Sequence, residues 1–255
     1  MSTEHAVYPD LKGKTVLVSG GASGIGEFMV RAFAAQGAKV GFVDRAQSQG
    51  ERLAALLSSR GDAVEFVCCD ITDEIAYKAA IGRFEQSLGP ITVLVNNAAN
   101  DVRHTLEEVD SDTFDRLIAV NLKHAFFAAK AVVPMMKSTG SGSIINLGSV
   151  GWMMASAGYP VYAASKAAAH GMTRALAREL GPDRIRVNTL VPGWVMTEKQ
   201  LAMWVDDAAK DLIARSQCLP GSVLPEHIAN MALFLASEAS AMCSAQNFIV
   251  DGGWV

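Results

Sequence analysis

The chain of 255 residues is 50% hydrophobic and 19% charged, with 22 basic against 26 acidic side chains and a formal net charge of −4. That length buries a substantial core without disulfides or metals, and the hydrophobic content excludes intrinsic disorder. No basic excess is present to neutralise a phosphate backbone, which argues against nucleic acid as a partner. No run reaches the roughly 18 uncharged apolar residues of a membrane span; the richest, residues 125–136, is broken by Lys130 and Pro134. Glu4, His5 and Asp10 near the start leave no apolar leader core. Cys68, Cys69, Cys218 and Cys243 show no metal or disulfide spacing, so free, buried thiols in a cytoplasmic setting are expected.

In chain order, short β-branched runs predict strands at 15–19, 40–44, 64–70, 92–96, 143–149, 186–191 and 247–250. Runs such as Val93-Leu94-Val95 are continuously apolar rather than alternating, as in strands of a parallel sheet covered on both faces. Amphipathic segments at about 24–36, 47–60, 73–88, 111–137, 160–180, 199–214 and 225–236 fall between them. This alternation predicts an α/β fold: a single-domain, doubly wound (Rossmann-type) parallel seven-stranded sheet with helices on both faces. One domain over 1–255 is expected, serving both dinucleotide binding and catalysis. The all-apolar stretch Ala125-Phe126-Phe127-Ala128-Ala129 and the Ala-rich helix after Tyr159 present more apolar surface than one sheet face needs, which favours a homo-oligomer.

The first strand runs into Ser19-Gly20-Gly21-Ala22-Ser23-Gly24-Ile25-Gly26 and then a helix. Glycine permits positive φ and close backbone approach, and the helix start offers free N–H groups to a pyrophosphate. The second strand ends at Asp44, placed to accept hydrogen bonds from an adenosine ribose diol and to repel a 2′-phosphate, which favours NAD over NADP. Arg45 is either a solvated turn residue or a partner for that phosphate. Asp70 and Ile71 end the third strand, placed against adenine, and Asn97, Ala98 and Ala99 follow the fourth.

Tyr162 and Lys166 share a helix face at i and i+4, and Ser149 stands at the end of a strand, where open α/β sheets bind ligands. A phenol of pKa about 10 is only about 0.1% ionised at pH 7. A neighbouring ammonium and an oxidised nicotinamide favour the phenolate, which then takes the proton of a substrate hydroxyl. Scattered His and Cys residues give no metal-ligand spacing, so no metal is expected and a zinc alcohol dehydrogenase is excluded.

The glycine turn, Asp44, Asp70, Asn96-Asn97-Ala98, Asn121, Ser149, Tyr162-Ala-Ala-Ser-Lys166 and Pro192-Gly193 with Thr197 occur in the order of the short-chain dehydrogenase/reductase family, which the chain resembles over essentially its whole length. The resemblance implies Tyr162 as acid/base, Ser149 orienting the substrate, and Lys166 lowering the Tyr162 pKa and gripping the nicotinamide ribose. Asn121 would hold a proton-relay water, and Pro192, Gly193, Val195 and Thr197 would cover the nicotinamide. It also implies a homotetramer. Two departures from the pattern are Ser19 for the usual Thr and Ala99 for the usual Gly.

Loops at 100–104, 150–159 and about 194–220 are expected to build the substrate pocket, with Asn100, Trp152 and Trp194 among its walls and Asp101, His104, Lys199 and Gln200 adding polar groups. Asn100-Asp101-x-Arg103-His104 and Pro192-Gly-Trp-Val-Met-Thr-Glu-Lys-Gln200 resemble the bacterial aldose 1-dehydrogenases of the family. That implies oxidation at the anomeric carbon of D-galactose, D-xylose, L-arabinose or a related sugar to an aldonolactone. Alternatives are a reductase of 3-oxoacyl or steroid-like ketones using NADPH, a polyol oxidoreductase, and a dinucleotide sensor without catalysis.

Overall fold

The computed structural model describes residues 6–255; Glu4 and His5 lie outside the described residues. All seven expected strands form: β1 (Thr15–Ser19), β2 (Lys39–Asp44), β3 (Val64–Cys68), β4 (Ile91–Asn96), β5 (Gly142–Leu147), β6 (Ile185–Pro192) and β7 (Asn247–Val250). They pair in the order β3-β2-β1-β4-β5-β6-β7, every pair parallel. Two-faced burial explains the unbroken apolar runs. Val16, Val18, Val40, Phe42, Val93 and Val95 point into one core, and Leu17, Val43, Leu94, Ile144 and Val187 into the other. The first core is closed by α1 (Gly24–Ala35), α2 (Gln47–Ser58) and α9 (Pro225–Ala236), the second by α3 (Glu74–Leu88), α5 (His124–Thr139) and α6 (Pro160–Leu180).

Three expectations are corrected. The helix expected at 199–214 is two, α7 (Glu198–Met203) and α8 (Asp207–Ser216), because Asp206 accepts from Ala209 N–H at 2.8 Å and starts a new helix. The helix expected at 111–137 is α4 (Ser111–Ile118), a π-turn at Ala119–Lys123 and then α5. Strands β3 and β5 stop at Cys68 and Leu147, so Asp70 and Ser149 stand on the loops just beyond, where the ladder no longer dictates their direction.

The helical run 111–139 has an 18-residue window of mean hydropathy 1.3, apolar enough by length and composition to cross a membrane, which the chain pattern did not suggest. Here it packs on the sheet, with Ala128, Val132 and Met136 fully buried. All four cysteines are free, but only Cys69 is fully buried; Cys68, on the edge strand, and Cys218 are exposed.

A buried polar chain fixes α6 against the sheet. Asn96 Nδ2 donates to Asn146 Oδ1 at 2.9 Å, and Asn146 Nδ2 donates to Thr173 Oγ1 at 2.9 Å. Thr189 Oγ1 joins Thr173 Oγ1 at 2.9 Å. Each group is cut off from water, so losing one partner orphans the next. Asn146→Ala is expected to lower stability by about 1–3 kcal/mol, measured by denaturant unfolding; an unchanged midpoint would show that the chain carries no such weight.

Candidate active site

A cleft of about 690 Å³ opens beyond the carboxyl ends of the strands, beside the divergence of β1's two neighbours, β2 and β4. This is the crevice that open α/β sheets use for ligands. Gly20 has φ +67°, and a Cβ there would stand 2.9 Å from Ala98 Cα; a Cβ on Gly26 would stand 1.9 Å from Gly20 O. Nothing but glycine fits, and the start of α1 is thereby left bare at the cleft wall. Ser19 Oγ accepts from Asn97 and Ala98 N–H, both at 3.1 Å, while Asn97 Nδ2 donates to the carbonyls of Ser19 and Gly20 at 2.9 and 3.0 Å. Ser19 thus serves the turn, and Asn97 holds the glycine loop in shape. Gly20, Ser23, Ile25, Gly26, Asn97, Ala98 and Ala99 all line the cleft; Gly24, at φ +53°, shapes the turn without doing so.

Asp44, Arg45, Asp70 and Ile71 line its far end. Asp44 receives Ala22 N–H on Oδ2 and Ala46 N–H on Oδ1, both at 3.0 Å, which fixes the carboxylate at the mouth of the glycine turn. Arg45 leans to Asp70 at 3.5 Å while remaining exposed. Burial raises the Asp70 carboxyl, but bonds from Thr72 and the charge of Arg45 outweigh it and leave it below the ordinary value.

At the other end, Ser149, Tyr162 and Lys166 converge on the cleft. The Ser149 hydroxyl, which accepts Gly151 N–H at 3.1 Å, favours the charged form of Tyr162. Lys166 Nζ lies 5.6 Å from the Tyr162 ring centre and donates to Leu147 O at 2.7 Å. Asn121 does not line the cleft. Its side chain bonds the Asn100 backbone twice, accepting N–H at 2.8 Å and donating to the carbonyl at 3.0 Å. Asn121 thereby pins the loop after β4, from a π-turn of the kind that clusters at functional sites.

Residues 194–220 form a cover whose ends are tied by a parallel bridge between Val195 and Val223. Pro192, Gly193, Trp194, Val195 and Thr197 line the cleft from this side. Gly193 is also required by packing, since a Cβ would stand 2.7 Å from Asp251 Cα. Asn100 lines the opposite wall. Next to it, Asp101 accepts from Lys199 Nζ at 2.5 Å and Gln200 Nε2 at 2.8 Å, and Gln200 Oε1 accepts from Trp194 Nε1 at 3.0 Å. These groups fasten the cover rather than standing free for ligand. Two expected pocket residues are elsewhere. Trp152 turns away from the cleft and meets His170 edge-on, ring centres 5.1 Å apart, because the short turn Val150–Trp152 aims it outward. His104 is buried, bonded to Val102 O at 3.0 Å and to Val161 N–H at 3.4 Å. Tyr159, Met154 and Arg103, which lie within the loops expected at the pocket but carry no local signal that singles them out, are all on the cleft wall. The guanidinium of Arg103 lies 4.1 Å from the Tyr159 ring centre and 5.1 Å from that of Trp204.

Residues 20–255 match a family model described as enoyl-(acyl carrier protein) reductase. The chain is 42% identical over 249 residues to a D-xylose 1-dehydrogenase of Caulobacter vibrioides, covering 98% of each chain. It is 40% identical to a Rhizobium meliloti protein named "Probable galactose dehydrogenase GalD", over 99% of each chain. The chain belongs to the short-chain dehydrogenase/reductase family. A gluconate 5-dehydrogenase from Burkholderia cenocepacia, solved with NADP and tartrate, superposes with a TM-score of 0.89 at 31% identity, covering 96% of this chain and 97% of that one. The bare helix start beside Gly20 and Gly26 fits a nicotinamide dinucleotide, the cofactor class of such dehydrogenases.

Within this dehydrogenase the chain's own groups set the resting protonation. Burial pushes the Tyr162 phenol up, against the Ser149 hydroxyl and the charge of Arg103, both of which favour the phenolate. Burial lowers Lys166 itself to about 8, opposed by Asp101. Burial and the charge of Lys166 hold His124 at about 3, so it is neutral. A lysine lowered on folding means that the unfolded chain binds more protons between about 8 and the ordinary lysine value of 10.5. Stability therefore rises with pH across that window, and the cost of the buried charge is complete below it. Lys166→Met is expected to be more stable than wild type at pH 7, by a margin that shrinks as pH climbs from 8 to 10. Thermal unfolding without dinucleotide tests this; a pH-independent margin contradicts it.

Proposed function

We propose that this dehydrogenase oxidises the anomeric C1 hydroxyl of an aldose, D-galactose or a related pentose or hexose, to an aldonolactone. The observation that carries the reading is the convergence of Ser149, Tyr162 and Lys166 on one cleft that is also walled by the glycine turn. The D-xylose and galactose dehydrogenases similar over nearly the whole chain support the substrate class.

Ser149 holds the reacting oxygen, and Tyr162 receives its proton as C1 is oxidised. The sugar's ring oxygen supports positive charge developing at C1. Lys166, fixed to Leu147 O, keeps a cation beside the Tyr162 ring. A bound oxidised nicotinamide supplies the hydride-accepting carbon and a positive charge. Gly20, Ser23, Gly24, Ile25 and Gly26 hold its pyrophosphate, Asp70, Ile71, Asn97, Ala98 and Ala99 border its adenosine and ribose portions, and Pro192, Gly193, Val195 and Thr197 border its nicotinamide. Asp44 reads the adenosine ribose diol and makes NAD the preferred cofactor, while Arg45, turned toward Asp70, leaves that preference intact. Residues 1–255 act as one binding and catalytic domain with 194–220 as its substrate cover, in a cytoplasmic setting consistent with four free thiols.

Initial rates across aldoses, polyols and ketones, with NAD and with NADP, test the reading. Aldose oxidation with higher kcat/KM for NAD is expected; activity confined to oxoacyl or steroid ketones with NADPH overturns it. Tyr162→Phe is expected to lose roughly 10²–10⁴-fold in turnover while dinucleotide binding persists.

The chain also acts as a homo-oligomer, a tetramer by family likeness. Support comes from exposed Phe114 and Phe126 on α4 and α5 and from an apolar groove formed by Leu106, Val109, Phe114, Pro160, Val161 and Ala164. Sedimentation is expected to show no monomer at micromolar concentration, and a monomer there would refute it.

A further inference from the structure

Arg103 has a cation's chemistry without a cation's usual partner. Its guanidinium is stacked against Tyr159 from the segment before α6 and against Trp204 from the cover, at 4.1 and 5.1 Å to the ring centres. Among the described residues it makes no ion pair and no hydrogen bond: the carboxylate nearest in sequence, Asp101, is held by Lys199 and Gln200. Aromatic faces satisfy the flat sides of a guanidinium, but they accept nothing from the N–H groups around its edge. Arg103 nevertheless lines the cleft, on the wall shared with Asn100 and Tyr159 and across from the cover. A second donor beside it is in the same condition, since the buried Trp204 Nε1 has no hydrogen-bond partner.

We infer that Arg103 is a specificity-determining residue: its edge N–H groups donate to a hydroxyl oxygen of the sugar other than the one on C1. The C1 oxygen already has Ser149 and Tyr162, so an additional donor on the cleft wall addresses a more distant part of the ligand. A guanidinium suits this task because it stays charged at any working pH and presents its donors in a rigid plane. Tyr159 and Trp204 lock that plane, so little side-chain freedom remains to be lost when the sugar binds. Because Trp204 belongs to the cover, the same stack fixes the cover's position over the hydroxyl being read. A site built to hydrogen-bond a hydroxyl discriminates strongly against the analogue that lacks it, because its buried donor is then left unpaired.

This assignment rests on the aldose reading, and the test separates the two. Wild type, Arg103→Met and Arg103→Lys are compared on D-galactose, D-xylose and the monodeoxy analogues of each. For the parent sugars, Arg103→Met is expected to lower kcat/KM roughly 10- to 100-fold, mainly through KM. Against one deoxy analogue the loss should nearly vanish, because the hydroxyl that Arg103 addresses is already missing. Arg103→Lys should fall between, keeping charge without the stacked fork, and dinucleotide affinity by fluorescence should be unchanged in all three. A loss that is equal across every analogue, no loss at all, or weakened dinucleotide binding would overturn the role of Arg103 while leaving the aldose reading intact. A wild-type enzyme that oxidises no aldose would overturn both.

Discussion

The hydroxyl of Ser19 and the amide of Asn97 make one clasp, four hydrogen bonds long, between the ends of β1 and β4. Everything downstream depends on it. A parallel sheet sends β1 to two neighbours that continue in different directions, and the gap between them would splay without a tie. The clasp closes the backbone of the gap while leaving the start of α1 uncovered. Gly20 and Gly26 are consequences of this closeness, since any Cβ there would strike the clasp or the loop it holds. The catalytic end is set by the same rule: Asn121 ties the loop after β4 from below, and the Asn96–Asn146–Thr173 chain ties α6 to the sheet.

Burial is double-edged at this site. The depth that shelters Tyr162 from water also raises the energy of its phenolate, and the depth that holds Lys166 lowers its own affinity for a proton. Desolvation costs whichever charge is to be used, and the neighbouring groups only partly offset it. A site in this condition is poised, with its charge balance left to be completed by what binds. Tightly held charges at the rim, such as Asp101 with Lys199, organise the cover while acting on both buried groups from a distance.

Sheet, strand count and glycine turn were legible because each has a local signature: unbroken apolar runs for strands covered twice, and glycine between a strand and a helix. Tyr162 and Lys166 were legible because helix geometry alone brings i and i+4 together. What escaped was built from distant segments. Asn96 and Asn146 look like strand-ending polar residues, and nothing local says that both point inward to Thr173. Arg103, Tyr159 and Trp204 come from three loops, so their stack exists only in the folded chain. Trp152 was misplaced for the converse reason: a loop position beside the cleft does not fix which way an indole faces. The break between α7 and α8 did have a signal in Asp206, a strong helix-capping residue inside a pattern that otherwise reads as one helix.

The bridge between Val195 and Val223 has a consequence for how such an enzyme changes over generations. Its two ends meet across the base of the cover, so the span that the residues between them must close is fixed. Closing a longer excursion across a fixed span grows only logarithmically in cost, about 0.6 kcal/mol per doubling. The clasp and the glycine turn lie outside that excursion, so a change of its length costs the cofactor end of the cleft nothing directly.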